Sequence, residues 1–404
     1  MSWIVDVGMS WLIRGKGSSS LKKIAIIGAS YLQNPLILKA KEMGYETHVF
    51  AWECGDIGER TADHFYPISI VEKDLILEKC KEIGVDGICS IGSDLANTVV
   101  SYVASSMGLV SNSVEATRLS TDKHAMRRAF EENGDPSPRS LVVDDAFCLS
   151  GSELRFPIIV KPADRSGSRG ITKLDSAKGF DEAVKRAEGE SFSGIVLVEE
   201  FFQGSEYSVE YISWQGEHHF LSITEKFTSG APMFVEKGHL EPARVDDSVE
   251  MKVRSVVEHA LDGLGVKYGA SHSELKINEN GEIAIIEIGS RMGGDRIGSD
   301  LVPLSTSYDF VGAVVSIAMG QCPLLPEVEE RKYAAIRYVF DDRDLSALDK
   351  MKHEAPHLLL ESEVSGFGEH AIVDSSSRFG YFMMCGDSLD ALSPYLPDHS
   401  EEGL

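Results

Sequence analysis

The chain is short of the features that most quickly place a protein. Its six cysteines (54, 80, 89, 148, 322 and 385) show no C-x-x-C pair and no metal-ligand spacing, so reduced thiols in the cytoplasm are the plain reading. No apolar run approaches the roughly 20 residues of a membrane span. Positive charge is scarce: 39 Lys and Arg against 64 Asp and Glu leave a formal net charge of -25. That argues against a nucleic-acid surface and against attraction to anionic membranes, though a few placed lysines still suffice for a nucleotide ligand. Repeats and low-complexity tracts are absent. Gly28, which ends the first strand pattern, is followed by "ASYLQN", so the G-x-G-x-x-G fingerprint of a nicotinamide site is missing, and no G-x-x-x-x-G-K-[ST] phosphate loop occurs.

What is present is an ordinary globular balance, 43% hydrophobic and 25% charged, over 404 residues, enough for two or three domains. Residues 1–20, "MSWIVDVGMSWLIRGKGSSS", place their basic residues after two apolar bursts. A signal peptide has the reverse order, so this segment is expected to be a leader or tag outside the fold. From "LKKIAIIGAS" onward, strand and helix patterns alternate, which predicts a doubly wound βαβ domain over about residues 21–120, α/β in class. Ligands bind at strand C-termini in such sheets, which makes the Gly28 loop a candidate for holding substrate. "STDKHAMRRAFEENG" predicts a helix capped by Ser120 or Thr121 and stopped at Gly134.

Two stretches carry the chemistry. In "FPIIVKPADRSGSRG", Lys161 ends an apolar strand beside a Gly/Ser loop, an arrangement suited to phosphate; a hairpin turn with a surface lysine is the alternative. In "HSELKINENGEIAIIEIGSRMGGDR", Asn280-Gly281 separates two strand patterns and predicts a hairpin. A two-residue loop there sets Glu274 directly opposite Glu287, and only a three-residue loop would separate them. Opposed like charges destabilise a ladder. A magnesium ion, which takes one or two carboxylates plus phosphate oxygens, would remove that repulsion. Glu287 is the one charge in "AIIEI", which makes a solvated sheet face a poor alternative.

The order of pieces (Lys123, Lys161, a Gly/Ser loop, "VEEFFQGSE", a strand glutamate, then E-x-x-x-R-x-G-G) resembles the ATP-grasp superfamily over about residues 21–330. "FVEKGHLEPA" and "EIGSRMGGDRIGSDLVP" resemble its carboxylate-amine ligase branch, which includes bacterial L-amino-acid and dipeptide ligases. The resemblance implies an ATP-grasp domain over 121–330, with a lid subdomain near 152–203, a central antiparallel sheet and a small C-terminal β-containing subdomain over 331–404. It implies ATP and Mg2+ as cofactors, with Mn2+ as a substitute. Lys123 and Lys161 match the lysines on the phosphates and adenine edge, and Ser166, Gly167, Ser168 and Gly170 the phosphate lid. Glu199, Glu200 and Phe202 match the segment that meets adenine, and Glu206 the ribose-binding acid, at a spacing one residue tighter than usual. Glu274 and Glu287 match the metal acids and Arg291 the arginine that steadies the transferring phosphoryl group. Glu236 and His239 fall near the incoming amine.

Two positions stay open at this stage. Arg296 either clamps a substrate carboxylate or pairs with Asp295 or Asp300, and His239 is either a proton acceptor or a core histidine. Gly289 departs from the asparagine common in the superfamily. His218 and His219 read as surface residues. The implied reaction is amide formation between a small carboxylate, such as an amino acid, and an amine, through an acyl phosphate, with ADP and phosphate released. The alternatives are a carboxylase or purine-pathway ligase of the same superfamily and a non-catalytic nucleotide-binding module. No nucleic-acid or membrane partner is expected, and a homodimer is the default assembly.

Overall fold

The run Lys23–Ile27 (β1) is apolar on both faces, as a strand covered by helices on either side must be. It pairs in parallel with Glu46–Phe50 (β2) and Gly87–Cys89 (β4), and β2 pairs with His64–Tyr66 (β3), giving the order β3-β2-β1-β4. β3 was not anticipated. At three residues it is too short to show alternation, and it makes "VDGICSIGSD" the site of the fourth strand rather than the third. The computed structural model describes residues 21–398 apart from 145–146, 166, 168, 232–233, 327–330, 367 and 369–376. The expected leader 1–20, and Ser166 and Ser168 of the expected lid, lie outside the described residues.

Among the described residues two further sheets follow. Ser140–Val143 (β5), Ile158–Pro162 (β6), Thr172–Leu174 (β7) and Val196–Glu200 (β8) form an antiparallel sheet in the order β5-β8-β6-β7. It begins at Ser140, ahead of residue 152. The third sheet holds Ser205–Trp214 (β9), Glu217–Thr228 (β10), Glu236–Glu241 (β11), Tyr268–Ile277 (β12) and Ile283–Gly289 (β13). Tyr333–Val339 (β14), Leu359–Val364 (β15) and Gly380–Gly386 (β16) complete it in the order β13-β12-β9-β10-β11-β14-β16-β15. The C-terminal strands are therefore hydrogen-bonded into the central sheet through β11 and β14 rather than forming a sheet of their own.

The helix Asp247–Leu264 places Val253, Val257, Ala260, Leu261 and Leu264 on one stripe and ends where Gly265 takes a left-handed φ. That stripe packs on Val209, Ile223, Ile285 and Ile288 of the central sheet and on Phe130 of the helix Lys123–Asn133. Leu261→Ala would open a cavity there costing about 2–5 kcal/mol. The capping residue of Lys123–Asn133 is Asp122, whose carboxylate accepts from Ala125 N; Ser120 instead closes the preceding helix, Val114–Leu119. This cap and the Lys123 N–H···O=C bond to Ala163 (3.1 Å) hold the start of the helix against the end of β6. The helix Phe310–Ala318 lies buried between the first and third sheets, touching Ile24, Ile26, Ile212 and Ala270. No single described helix is long and apolar enough to cross a membrane.

Candidate active site

The hairpin β12–β13 pairs Glu274 directly with Glu287. The route to that register differs from the two-residue turn. Asn278 N donates to Glu282 O, and Gly281 has positive φ (71°) while Asn280 does not. This is the three-residue loop that by itself would put the acids out of register. A bulge between Glu274 and Leu275, opposite Ile286, adds one residue and restores the pairing. Lys226 Nζ lies 2.7 Å from Glu274 Oε1, and Lys123 Nζ lies 2.8 Å from Glu287 Oε1. Among the described residues every hydrogen bond to these carboxylates falls on Oε1, which leaves both Oε2 atoms as free oxygen donors. Hard oxygen donors, two in number and rigidly opposed, fit magnesium.

Lys161 emerges from β6 into a cleft that Glu274 and Lys226 also line. Its ammonium lies 2.6 Å from Glu199 Oε2, whose other oxygen is 2.9 Å from Arg127 Nε, and all three side chains are buried. Burial, helped by the charges of Arg127 and Lys123, pulls Lys161 down to about 8 against the attraction of Glu199. Against burial, Arg127 and Lys161 hold Glu199 down at about 2. The Glu199 carboxylate is thus committed to two cations rather than presented to a base. Glu200 pairs with Arg155 (3.1 Å) and Glu206 with Lys276 (3.1 Å). Glu199, Glu200, Phe202 and Glu206 line a cleft whose walls include Ile159, Ile171, Leu275 and Ile286. Lys276 Nζ sits 4.5 Å from the centroid of the Phe201 ring, in the same cleft. Two apolar walls with acids at the rim suit a flat, polar-edged ring. Gly167 and Gly170 of the expected lid take left-handed φ values of 71° and 72°.

Beyond the acid pair lies a second group of charges. Arg291 makes a two-pronged contact with Asp94, Nε to Oδ1 at 2.7 Å and Nη2 to Oδ2 at 3.0 Å. A Cβ on Gly289 would come 3.1 Å from Arg291 Cζ and 3.2 Å from Asp94 Oδ1. The departure from asparagine therefore makes room for this pair. Arg378 grips Asp295 in the same two-pronged way (3.0 and 2.8 Å) and lies 3.5 Å from Glu236 Oε2. Burial and the Asp295 charge raise Glu236, whereas His239 and Arg378 hold Asp295 well below the usual carboxylate range despite burial. His239 is fully buried, its Nε2 3.7 Å from Asp295, and burial lowers its pKa, so the ring has no open path to an amine in this conformation. Arg296 pairs with Asp300 (3.5 Å) and Glu361 (3.6 Å) and donates to the Tyr381 hydroxyl, while Asp295 goes to Arg378. Tyr31, from the Gly28 loop, is 58% exposed, and desolvation and the Asp295 charge raise its phenol.

Residues 154–300 match the model of the ATP-grasp domain family. Over those residues the chain is similar to an ATP-grasp domain. The alanine–anticapsin ligase of Bacillus subtilis is 26% identical over 258 residues, 57% of this chain and 53% of that protein. The chain thus spans about half the length of the curated relatives it matches. Among solved structures, the L-amino acid ligase from Bacillus licheniformis superposes with a TM-score of 0.78 at 21% identity, over 93% of this chain and 95% of that one. Phosphoribosylglycinamide synthetase from Anaerococcus prevotii gives 0.73 at 21%, over 93% and 96%. At these identities the structural likeness speaks to the ATP-grasp fold alone.

Of the expected site residues, Lys161 and Glu274 line the cleft walled by Ile159 and Leu275, Lys123 and Glu287 line a second cavity with Asp94, and Arg291, paired with Asp94, lines a third, while Arg296 and His239 face Asp300, Glu361 and Asp295 instead. Four site residues were missed. Lys226 falls on the polar face of "SITEKF", with Ser222 and Thr224 and opposite the core residues Ile223 and Phe227, so alternation reads it as solvent-facing, whereas Asp94 lies just past the end of β4, where ligands are expected. Arg127 is one of two adjacent arginines on a helix, and its spacing of four from Lys123 and three from Phe130 is the signal that it, rather than Arg128, faces inward. Arg378 has no local signal. His218, read as a surface residue, instead tucks its ring in, with Nδ1 2.7 Å from Ser213 Oγ.

Proposed function

We propose that the chain is an ATP-dependent carboxylate–amine ligase that forms an amide or peptide bond through an acyl phosphate and releases ADP and phosphate. The observation that carries this reading is the opposed Glu274–Glu287 pair, each acid held by its own lysine (Lys226 and Lys123), beside a cleft that Glu274 lines together with Lys161, Ile159, Ile171, Leu275 and Ile286. A carboxylate has no good leaving group until one of its oxygens is phosphorylated. Phosphoryl transfer asks a protein mainly for positioning and charge neutralisation. Magnesium held by Glu274 and Glu287 would supply charge neutralisation on the phosphates. Lys123 and Lys161 hold the phosphate oxygens, and the Phe201–Glu206 segment holds the nucleoside, with Glu206 toward the ribose. This layout directs the γ-phosphoryl group toward Arg291.

Arg378, Asp295, Glu236 and Tyr31 then form the acceptor side. Arg378 suits a substrate carboxylate, and the two acids suit an ammonium. Of the two acids, Glu236 is the proton acceptor for the attacking amine, because its environment raises it while that of Asp295 lowers it. His239, fully buried against Asp295, serves to position that carboxylate. The test is a matrix of amino acids and small acids against amines with ATP and Mg2+, read as phosphate release and product mass. A condensed product with stoichiometric phosphate is expected for at least one pair. Phosphate release that follows bicarbonate or formate instead would transfer the chain to the carboxylase or purine-pathway reading, and ATP binding without turnover across the matrix would favour a non-catalytic module.

A further inference from the structure

A second constellation lies far along the chain from the catalytic acids, on the outer edge of the N-terminal sheet. Glu46 and His48 are two residues apart on β2 and so share a face, and His64 on β3 stands in register with His48. Glu46 Oε1 is 3.1 Å from His48 Nε2 and also 3.1 Å from His64 Nε2. One ligand atom from each of the three residues falls within 4.8 Å of the others. Zinc bonds of about 2.0–2.2 Å put neighbouring ligands of a tetrahedral site about 3.3 Å apart. The His48 side chain is 4% exposed, and its Nε2 has no hydrogen-bond partner despite the nearby carboxylate. A buried nitrogen in contact with a carboxylate oxygen, yet outside hydrogen-bond geometry, has the placement that two ligands of one ion take up.

The surroundings orient the same atoms. The other ring nitrogen of His48, Nδ1, lies 3.1 Å from the Tyr66 hydroxyl. A proton on Nδ1 donated to that oxygen leaves the Nε2 lone pair facing the carboxylate, the outer-shell arrangement of metal-bound histidines. Lys23, opposite Glu46 on β1, sends its ammonium to Ile83 O (3.0 Å), and Lys79 is held by Glu82 beside the Tyr66 ring. His64 is half exposed, so solvent reaches the fourth position.

We propose that Glu46, His48 and His64 form a zinc site that clips the three-residue edge strand β3 to β2. This is separate from the acid pair in position and in ligand type, since imidazole nitrogens favour zinc over magnesium. The test is calorimetric titration of the chelator-treated full chain with zinc chloride, in the wild-type background and in a Glu274→Gln/Glu287→Gln background that disables the acid pair. One equivalent bound in both backgrounds is expected, with a rise in Tm. His64→Ala and Glu46→Gln, at partly exposed positions, should each abolish that equivalent while keeping the far-UV circular dichroism spectrum. Tyr66→Phe should weaken it about 10-fold or more. Zinc binding of unchanged stoichiometry and affinity in His64→Ala or Glu46→Gln overturns the proposal, as does a chain that takes up no zinc once the acid pair is disabled.

Discussion

Replacing Glu199 by glutamine keeps its volume and removes the one negative charge between Lys161 and Arg127. At 2.6 Å and an effective dielectric near 20, the Lys161–Glu199 attraction is about 6 kcal/mol. If relaxation and the glutamine dipole recover about two-thirds of that, the net loss is about 2 kcal/mol, or about 1.5 pKa units. Lys161, already pulled down to about 8, then titrates near about 6.5. At pH 7.5 its protonated fraction falls from about three-quarters to about a tenth, so an ammonium that grips phosphate is lost about 8-fold. The sign is definite: the charged form is the useful one, so activity declines as pH rises through the pKa. Initial rates of phosphate release at subsaturating ATP, from pH 5.5 to 9, should show a basic limb near pH 8 in the wild type and near about 6.5 in Glu199→Gln, with recovery at pH 6. Breaking a buried pair also costs about 3–5 kcal/mol of stability, so the rates belong below the variant's melting transition. A uniform loss at every pH, with the limb unmoved, would refute the assignment of Lys161 to phosphate under the control of Glu199.

Gly289→Asn should lower kcat by several-fold to about 10-fold, because its Cβ would meet Arg291 Cζ at 3.1 Å and push on the pair with Asp94; unchanged kcat would show that Arg291 acts from elsewhere. Arg378→Gln should raise the KM of the acid or amine about 10-fold or more while leaving that of ATP alone, and a shift in ATP KM only would remove it from the acceptor side. Glu241, fully buried, has its carboxyl pushed up to about 8 by burial. The unfolded chain releases this proton near its ordinary 4.5, so stability is lost as pH rises from there toward about 8, by about 3 kcal/mol at pH 7. Denaturant titrations of Glu241→Gln should therefore show a flatter stability profile between pH 5 and 8; a profile parallel to the wild type would contradict the buried neutral acid.

Much of the cleft was legible because its parts are short, local and patterned. Alternation around Asn280-Gly281 marked the hairpin, and a lone charge in an apolar run marked Glu287. The register came out as expected by two compensating departures, a three-residue loop and a bulge, neither of which has a signature in the pattern. Lys161 was visible because a strand-ending lysine beside a Gly/Ser loop is unusual. Around Glu236, which was placed near the incoming amine, the charged partners were not visible. Arg378 reaches Asp295 from 83 residues away, and Asp94 reaches Arg291 from 197; only the folded sheets bring them together. β3 was missed because three residues cannot display a period, and the cap at Asp122 was displaced from Ser120 because Ser120 already closes the helix before it.

The central claim is that a carboxylate oxygen attacks the γ-phosphorus of ATP. The direct test uses a substrate acid labelled with 18O in its carboxylate, turned over with its amine partner, ATP and Mg2+, followed by 31P NMR of the phosphate and chromatography of the nucleotide. The account predicts ADP as the nucleotide and one 18O atom transferred into each phosphate released. AMP with pyrophosphate, or ADP with unlabelled phosphate, would contradict it.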